Sequence, residues 1–395
     1  MATATTLAPS LLEAVNQIAP IIRENAGRSE RNRSLATETV AAMKRAGLYR
    51  MTKPRAFGGM EVDPITAVQV WEAVSRIDAS AGWNLIISSG GITFGSWIPD
   101  QGIEEMFSGD PDSILAGAVF PPGKAIPVDG GYRVTGQWPF ASGCQHASWL
   151  AELASVYDGD ELRRDENGNP VQILFAMPAS DAEILDTWHT MGLCATGSHD
   201  LSVKDLFVPS HRAGRLAPLK QLPKAFDIPL FHLTVWLPVA SLAAPALGNA
   251  RAAVDALIDL GSKKTPAYGA APLSTRSSAQ MQLGQAEALL GAARAYFYQS
   301  LSAAWQTAQK REFLSQSEKI AIQLATSHAI DSSAKVVDLV HQAAGTSAIR
   351  LEKPFQRHFR DAHVITQHAF GSISRIESAG KLLFGQPTDW PFFMM

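Results

Sequence analysis

The sequence predicts an α+β protein in which two helical regions flank a central region of strands. Apolar residues recur at helical spacing in the first part of the chain. Short runs of β-branched and aromatic residues, separated by turn signals, follow in the middle, and the helical spacing then returns. We therefore expect three domains, residues 1–112, 113–225 and 226–395.

Helix start and stop signals mark the first region. Ser10 and Glu13 have the spacing of a capping box and predict a helix that begins near residue 10. A second helix is predicted from Thr37 to Gly47, because a glycine can adopt the left-handed conformation that ends a helix. A third begins at Asp63, a helix cap followed by a proline at the first helical position.

The central region carries six predicted strands bounded by glycine, asparagine and proline turns. They are Ile114 to Phe120, Tyr132 to Trp138, Trp149 to Tyr157, Val171 to Met177, Ile184 to Trp188 and Leu201 to Phe207. The last region contains a helix ending at Gly261, an alanine-rich helix from Ala279 to Gln309, and a helix that starts with the capping box of Ser315 and Glu318. We interpret the polar stretch between the first two, residues 261–276, as a loop.

Composition excludes several classes of partner. A net charge of -3 gives no dense basic surface for nucleic acid or anionic lipid. The longest apolar stretch, residues 230–247, is interrupted by a histidine and two prolines, so no membrane span is predicted. Cys144 and Cys194 are too few for a disulfide framework and too far apart for a metal-ligand cluster. We expect a cytoplasmic protein without a bound metal.

Three segments carry candidate functional groups. The motif from Trp138 to Gly143 sets aromatic rings beside the Ser142 hydroxyl after a predicted strand, an arrangement that suits a flat polar ring. Taken alone, the motif is more simply explained as a strand end with core aromatics and a turn serine. A polar turn, Thr196-Gly-Ser198, precedes another strand. His368 lies beyond Arg360-Asp361, and an imidazole of ordinary pKa is a potential proton carrier.

Taken in order, these segments resemble the acyl-CoA dehydrogenase superfamily along nearly the whole chain. The landmarks are residues 47–59, Glu72 with Arg76 to Asp78, Gly136 to Gly143, Met191 to Pro209, and Arg360 to Ala362. The resemblance implies an N-terminal helical domain, a central β-barrel-like domain and a C-terminal four-helix bundle that together enclose a flavin, usually in a homotetramer.

One position departs from the dehydrogenases of this superfamily. In many of them a catalytic glutamate lies nine residues after the arginine of Arg-Asp-Ala, and that position is Ala369 here. An alanine cannot remove a proton. With His368 just before the vacated position and Ser142 in its motif, the chain resembles the reduced-flavin monooxygenase branch.

This branch implies an oxygenase that receives reduced flavin from a separate NAD(P)H:flavin reductase, forms a C4a-hydroperoxide with O2 and oxygenates a small aromatic or heterocyclic substrate. A dehydrogenase or oxidase with its glutamate on another helix stays open as the alternative. A flavin-free binding protein has no positive support in the sequence.

The resemblance also implies roles for individual residues. Ser142 would hydrogen-bond flavin N5 and slow the loss of peroxide, and Phe140, with Trp138 nearby, takes the position of a tryptophan that packs on the flavin ring. His368 would act as acid or base near the oxygen or the substrate, with a pKa close to working pH.

For the flavin phosphate, which the family binds with basic and hydroxyl groups from two subunits, the matching candidates are Arg276, Thr196 and Ser198. A solvated loop charge is the equal alternative for Arg276. Gln342 and Gly345 resemble the place where FAD-using relatives hold the nucleotide of a neighbouring subunit, but Thr346 replaces a glycine there. This favours FMNH2, with FADH2 as the alternative. Phenol hydroxylases of the branch carry a histidine near residues 83–97, where this chain has none, so a neutral substrate is favoured. His199, His211 and His232 stay open as replacements.

Overall fold

The computed structural model describes residues 4–267 and 269–395. Its first region contains five α-helices: α1 (Ala4–Asn32), α2 (Thr37–Arg45), α3 (Pro64–Ile77), α4 (Ala79–Leu85) and α5 (Asp100–Phe107). The predicted cap of α3 is confirmed, because the Asp63 carboxylate accepts hydrogen bonds from the amides of Ile65 and Thr66, both at 3.0 Å. The start predicted at Ser10 is wrong. Helix α1 already begins at Ala4, since the residues before Ser10 continue the helix and no cap is needed there.

The central region forms one mixed sheet of nine strands: β1 (Leu115–Ala116), β2 (Gly123–Val128), β3 (Gly131–Trp138), β4 (Trp149–Asp158), β5 (Glu161–Leu162), β6 (Gln172–Pro178), β7 (Glu183–Leu185), β8 (Asp200–Pro209) and β9 (Ala213–Arg215). The strand order is β7-β8-β3-β2-β4-β6-β9, and β1 and β5 both pair with β4. The sequence did not predict β2, whose proline and lysine weaken the strand signal. The sheet surrounds its own apolar core, which includes Val134, Trp138 and Phe175.

The described part of the last region contains six α-helices: α6 (Trp236–Ser241), α7 (Ala243–Lys263), α8 (Ser277–Ala308), α9 (Gln316–Ala344), α10 (Phe355–Ile365) and α11 (Ser374–Leu383). Helices α7 to α10 pack side by side as the predicted four-helix bundle. The capping box of Ser315 and Glu318 is formed at the start of α9. The structure has the predicted order of helical, sheet and helical regions, while the domain boundaries at residues 112 and 225 stay predictions.

A π-helical turn joins the first helical region to the sheet. Helix α4 continues into a π-helical turn, Ile86–Gly90, and such turns occur often at functional sites. The Ser88 hydroxyl in this turn accepts a hydrogen bond from the amide of Leu115 in β1, at 3.3 Å.

Within the described ranges, no helix is long and apolar enough to cross a membrane.

Candidate active site

A cavity of about 440 Å³ lies where the two helical regions meet the sheet. This volume is within the usual range for a site that binds a small organic ligand. Its wall combines Trp83 from the first region, Ser142 and Ser198 from the central region, and His368 from the last. The structure thus brings Ser142 and His368, which are 226 residues apart in sequence, to one site.

Hydroxyl groups form a continuous row on the sheet side of this cavity. Ser142 Oγ lies 2.6 Å from Ser198 Oγ, which lies 2.6 Å from Thr196 Oγ1. Thr196 Oγ1 in turn donates to the carbonyl oxygen of Leu193 at 2.8 Å. All three hydroxyl residues are buried and line the cavity. Thr196 and Ser198 thus lie beside Ser142, and their role at the flavin phosphate stays a prediction.

Trp83 links the hydroxyl row to His368. Its indole nitrogen donates a hydrogen bond to Ser142 Oγ at 3.0 Å. The same indole packs edge to face with the His368 ring, and the ring centroids are 5.3 Å apart. Neither contact has a local sequence signal, so the sequence alone does not predict a role for Trp83.

The His368 imidazole differs from the prediction in its protonation. Burial lowers its pKa from the ordinary 6.5 to about 4, so the ring is neutral at neutral pH. Nδ1 accepts a hydrogen bond from the amide of Phe370 at 3.3 Å, which leaves the proton on Nε2. The prediction of a pKa near working pH is therefore wrong. His368 can offer the cavity a neutral N–H donor instead.

Phe140 and Trp138, the two aromatic candidates of the β-domain motif, have opposite surroundings. Phe140 lines the cavity, is 66% exposed and has a positive φ of 68°, a conformation that costs energy in a bulky residue and is often found at functional sites. Trp138 is fully buried in the core of the sheet, where its indole donates to the carbonyl of Leu153 at 2.8 Å. Trp138 is therefore not among the residues that line the cavity, and its contact with the cofactor stays a prediction.

Arg276 is not among the residues that line the cavity. It precedes α8 and is exposed, and its charge lowers the pKa of Lys264 in addition to the effect of burial. Lys264 donates to the carbonyl of Ala344 at 2.6 Å, next to Gly345. The structure therefore groups Arg276 with Gly345, the position that resembles a nucleotide site for a neighbouring subunit, and separates it from Thr196 and Ser198.

Charged side chains are missing from the wall of this cavity. Among the described residues that line the cavity there is no Asp, Glu, Lys or Arg. Ala369, at the position where many dehydrogenases have the catalytic glutamate, is part of the lining. All ten histidines are described, and His368 is the one that reaches the cavity. His199 accepts from the amides of Thr187 and Trp188, and His211 and His232 pair with acidic residues elsewhere. None of these three replaces a histidine of the first region.

The family models match both helical regions. Residues 13–105 match the acyl-CoA dehydrogenase N-terminal domain, and residues 240–372 match the acyl-CoA dehydrogenase C-terminal domain. With the sheet between them and the cavity at their junction, these matches define a member of the acyl-CoA dehydrogenase superfamily.

Relatives over nearly the full length specify the branch. Indole-3-acetate monooxygenase of Pseudomonas putida is 32% identical over 92% of this chain and 91% of its own. The oxygenase subunit HsaA of a flavin-dependent monooxygenase from Mycobacterium tuberculosis is 29% identical over 93% of each chain. The structure of XiaF from Streptomyces sp. in complex with FADH2 and glycerol superimposes with a TM-score of 0.90 at 27% identity, covering 98% of both chains. The chain belongs to the flavin-dependent monooxygenases of this superfamily.

Proposed function

We propose that the chain is the oxygenase component of a two-component monooxygenase that takes reduced flavin from a separate NAD(P)H:flavin reductase and oxygenates a small, uncharged aromatic or heterocyclic substrate. One observation carries the proposal. The cavity combines a row of hydroxyls with a neutral imidazole, and its described lining has no carboxylate that could remove a proton from a thioester. This favours oxygen chemistry over the dehydrogenase alternative.

The lining fits a flavin ring. Phe140 presents an exposed aromatic face, and Ser142 presents a hydroxyl whose environment is fixed by Trp83 and Ser198. Reduced flavin, when bound, would supply the two electrons with which one atom of O2 enters the substrate and the other leaves as water. Phe140 would hold the ring, and Ser142 would face its N5 position, as the resemblance implies.

The remaining lining would protect and orient the reacting groups. The wall is mostly apolar and therefore keeps water away from a reactive oxygen species. His368, neutral and with its proton on Nε2, would donate a hydrogen bond to the substrate or to oxygen rather than a full proton.

The same lining argues for a neutral substrate. A carboxylate such as that of indole-3-acetate would meet no cation among the described lining residues, and the neutral His368 would not supply one. An ion without a partner is costly to remove from water. We therefore expect indole, the uncharged parent ring, to be a better substrate than indole-3-acetate, which one relative is named for.

Cofactor type, assembly and location are further parts of the proposal. Thr346, which replaces a glycine of the FAD-using relatives, supports FMNH2 over FADH2. Exposed apolar side chains on the last region, including Leu351, Leu383 and Phe384, support a homotetramer, because monomers rarely expose large apolar patches. Both cysteines are free thiols, in keeping with a cytoplasmic location.

The test is reconstitution of the purified chain with FMN or FAD, a flavin reductase, NADH and oxygen. We expect oxygenated indole only when reductase and flavin are both present, with a kcat/KM at least tenfold above that for indole-3-acetate. Absence of any oxygenated product with either flavin across neutral aromatic substrates would overturn the proposal. Bleaching of bound oxidised flavin by an acyl-CoA would instead establish the dehydrogenase alternative.

A further inference from the structure

The hydroxyl row beside the cavity has a direction that is set at its buried end. The row ends on the carbonyl oxygen of Leu193, which can only accept hydrogen bonds. The single hydroxyl proton of Thr196 is therefore used on Leu193. Thr196 Oγ1 can take part in its 2.6 Å contact with Ser198 only as the acceptor.

The same reasoning passes along the row to the cavity. Because Ser198 donates its only proton to Thr196, it must accept from Ser142 in their 2.6 Å contact. Ser142 has then used its proton, and the Trp83 indole N–H occupies one of its two lone pairs. The one remaining position on Ser142 Oγ is an acceptor.

We infer that the row from Leu193 through Thr196 and Ser198 makes Ser142 a dedicated hydrogen-bond acceptor, so that the cavity selects reduced over oxidised flavin. The inference rests on the proposed function, in which Ser142 faces flavin N5. Reduced flavin carries a proton on N5 and can donate to Ser142. Oxidised flavin has only a lone pair at N5, so the two acceptors would oppose each other.

Reversing the row is costly because of its fixed end. For Ser142 to donate to oxidised flavin, Ser198 would have to donate to Ser142 and Thr196 to Ser198. Thr196 Oγ1 would then face the Leu193 carbonyl oxygen at 2.8 Å without a proton between them. A lost hydrogen bond in a buried site corresponds to a preference of about tenfold. Thr196 and Ser198 are thus positioning residues for redox selectivity.

The test compares dissociation constants for FMN and for dithionite-reduced FMN under anaerobic conditions, measured by quenching of tryptophan fluorescence without substrate. Phosphate contacts are common to both redox forms, and differences at flavin atoms other than N5 act equally on the native chain and its variants. The change of the ratio from the native chain to a variant therefore isolates the N5 contact. We expect the native chain to bind reduced FMN about tenfold or more tightly than FMN.

Thr196→Val removes the hydroxyl that donates to the Leu193 carbonyl, with little change of side-chain volume. Ser198 then no longer donates its proton to residue 196 and can donate to Ser142 instead. We expect the ratio to fall by about tenfold, chiefly through tighter binding of oxidised FMN. A merely structural defect would weaken both forms. Thr196→Ser keeps the hydroxyl and should keep the native ratio. Ser198→Ala, which frees the Ser142 proton directly, should lower the ratio in the same way and serves if Thr196→Val does not fold.

The outcomes separate this inference from the proposed function. A native chain that binds neither form overturns the proposed function, and the inference with it. A native chain that binds both forms equally, or a ratio that Thr196→Val and Ser198→Ala leave unchanged, overturns the inference alone. Reduced flavin preferred by the native chain, with the ratio lowered in both variants and kept by Thr196→Ser, supports it.

Discussion

The backbone amide of Leu193 donates a 2.6 Å hydrogen bond to the buried carboxylate of Asp361. Leu193 has a positive φ of 49°, which an apolar L residue rarely adopts. Its carbonyl accepts from the Trp188 indole at 3.1 Å as well as from Thr196 Oγ1. The Leu193 peptide thus connects α10, and with it the Arg360-Asp361 landmark, to the hydroxyl row of the cavity.

Asp361 gives a prediction about pH and stability. Burial raises its pKa from 3.8 to about 7, so between these values the folded protein holds a proton that the unfolded chain has lost. The contribution of Asp361 to the free energy of unfolding is largest below pH 3.8 and is lost as the pH rises through 7. Asp361→Asn keeps an acceptor for Leu193 and cannot ionise. In urea denaturation, the free energy of unfolding of the variant minus that of the native protein should increase by about 2 kcal/mol from pH 5 to pH 8.

The control for this prediction is Asp160→Asn, at an exposed turn. It should follow the native pH dependence. Asp361→Ala, in contrast, leaves the Leu193 amide unpaired and should weaken flavin binding at both pH values. If the free energy of unfolding of Asp361→Asn and that of the native protein changed in parallel with pH, the raised pKa of Asp361 would not explain the pH dependence.

Ser142→Ala tests the coupling of oxygen to product. The variant removes the hydroxyl that would face N5, and we expect several-fold more hydrogen peroxide released per product formed, because a bonded N5 proton cannot readily assist the loss of peroxide. The measurement is the ratio of hydrogen peroxide to oxygenated substrate under saturating reductase. Ser180→Ala, on an exposed turn, is the matched control. Unchanged coupling in Ser142→Ala would argue against the N5 contact.

The low pKa of His368 predicts a pH dependence unlike that of an ordinary histidine. Since the pKa lies at about 4, the coupling ratio should show no His368 transition between pH 5.5 and 8, as measured by product per oxygen consumed. The contribution of His368 to the free energy of unfolding is largest above pH 6.5 and is lost as the pH falls toward 4. In this range the unfolded chain binds a proton at His368 and the folded protein does not. His368→Asn should therefore lose less stability than the native protein between pH 7 and 5. A transition near pH 6.5 that disappears in the variant would contradict this.

Ala369→Glu places a charge at the position that the dehydrogenases use. With no cation in the described lining, the carboxylate would have no partner and would disfavour an apolar substrate. We expect kcat/KM for a neutral aromatic substrate to fall at least tenfold in steady-state assays. Ala369→Gln is of equal size and uncharged, and it should be impaired much less. Equal losses in both variants would point to volume instead of charge.

Trp138 and Phe140 should separate stability from binding. Trp138→Phe loses the hydrogen bond to Leu153 and packing against Phe175 in the sheet core, which should lower the free energy of unfolding by about 1–3 kcal/mol. Its affinity for reduced flavin should stay within about twofold of the native value. Phe140→Ala should show the reverse, with lower flavin affinity and little loss of stability. Calorimetry measures the stability of both variants, and anaerobic titration measures their affinity for reduced flavin. Loss of affinity in Trp138→Phe alone would support the predicted contact of Trp138 with the flavin.

Local patterns predicted much of the secondary structure because helix caps and apolar spacing depend on near neighbours. Asp63 and Ser315 cap their helices as expected. The capping box at Ser10 failed, because a local pattern cannot show that the helix has already begun upstream. Strand β2 was missed because its stability comes from pairing with β3 and β4, not from its own residues.

By itself, the sequence determined that Ala369 lacks the catalytic carboxylate, that Ser142 and His368 are candidates, and that the chain has the order of helical and β regions of its superfamily. The tertiary structure decided which groups meet and in what state. It left Trp138 and Arg276 outside the cavity lining, lowered the pKa of His368 by burial, and joined Trp83 to Ser142. Burial and hydrogen-bond direction depend on side chains from distant segments, so only the folded chain defines them.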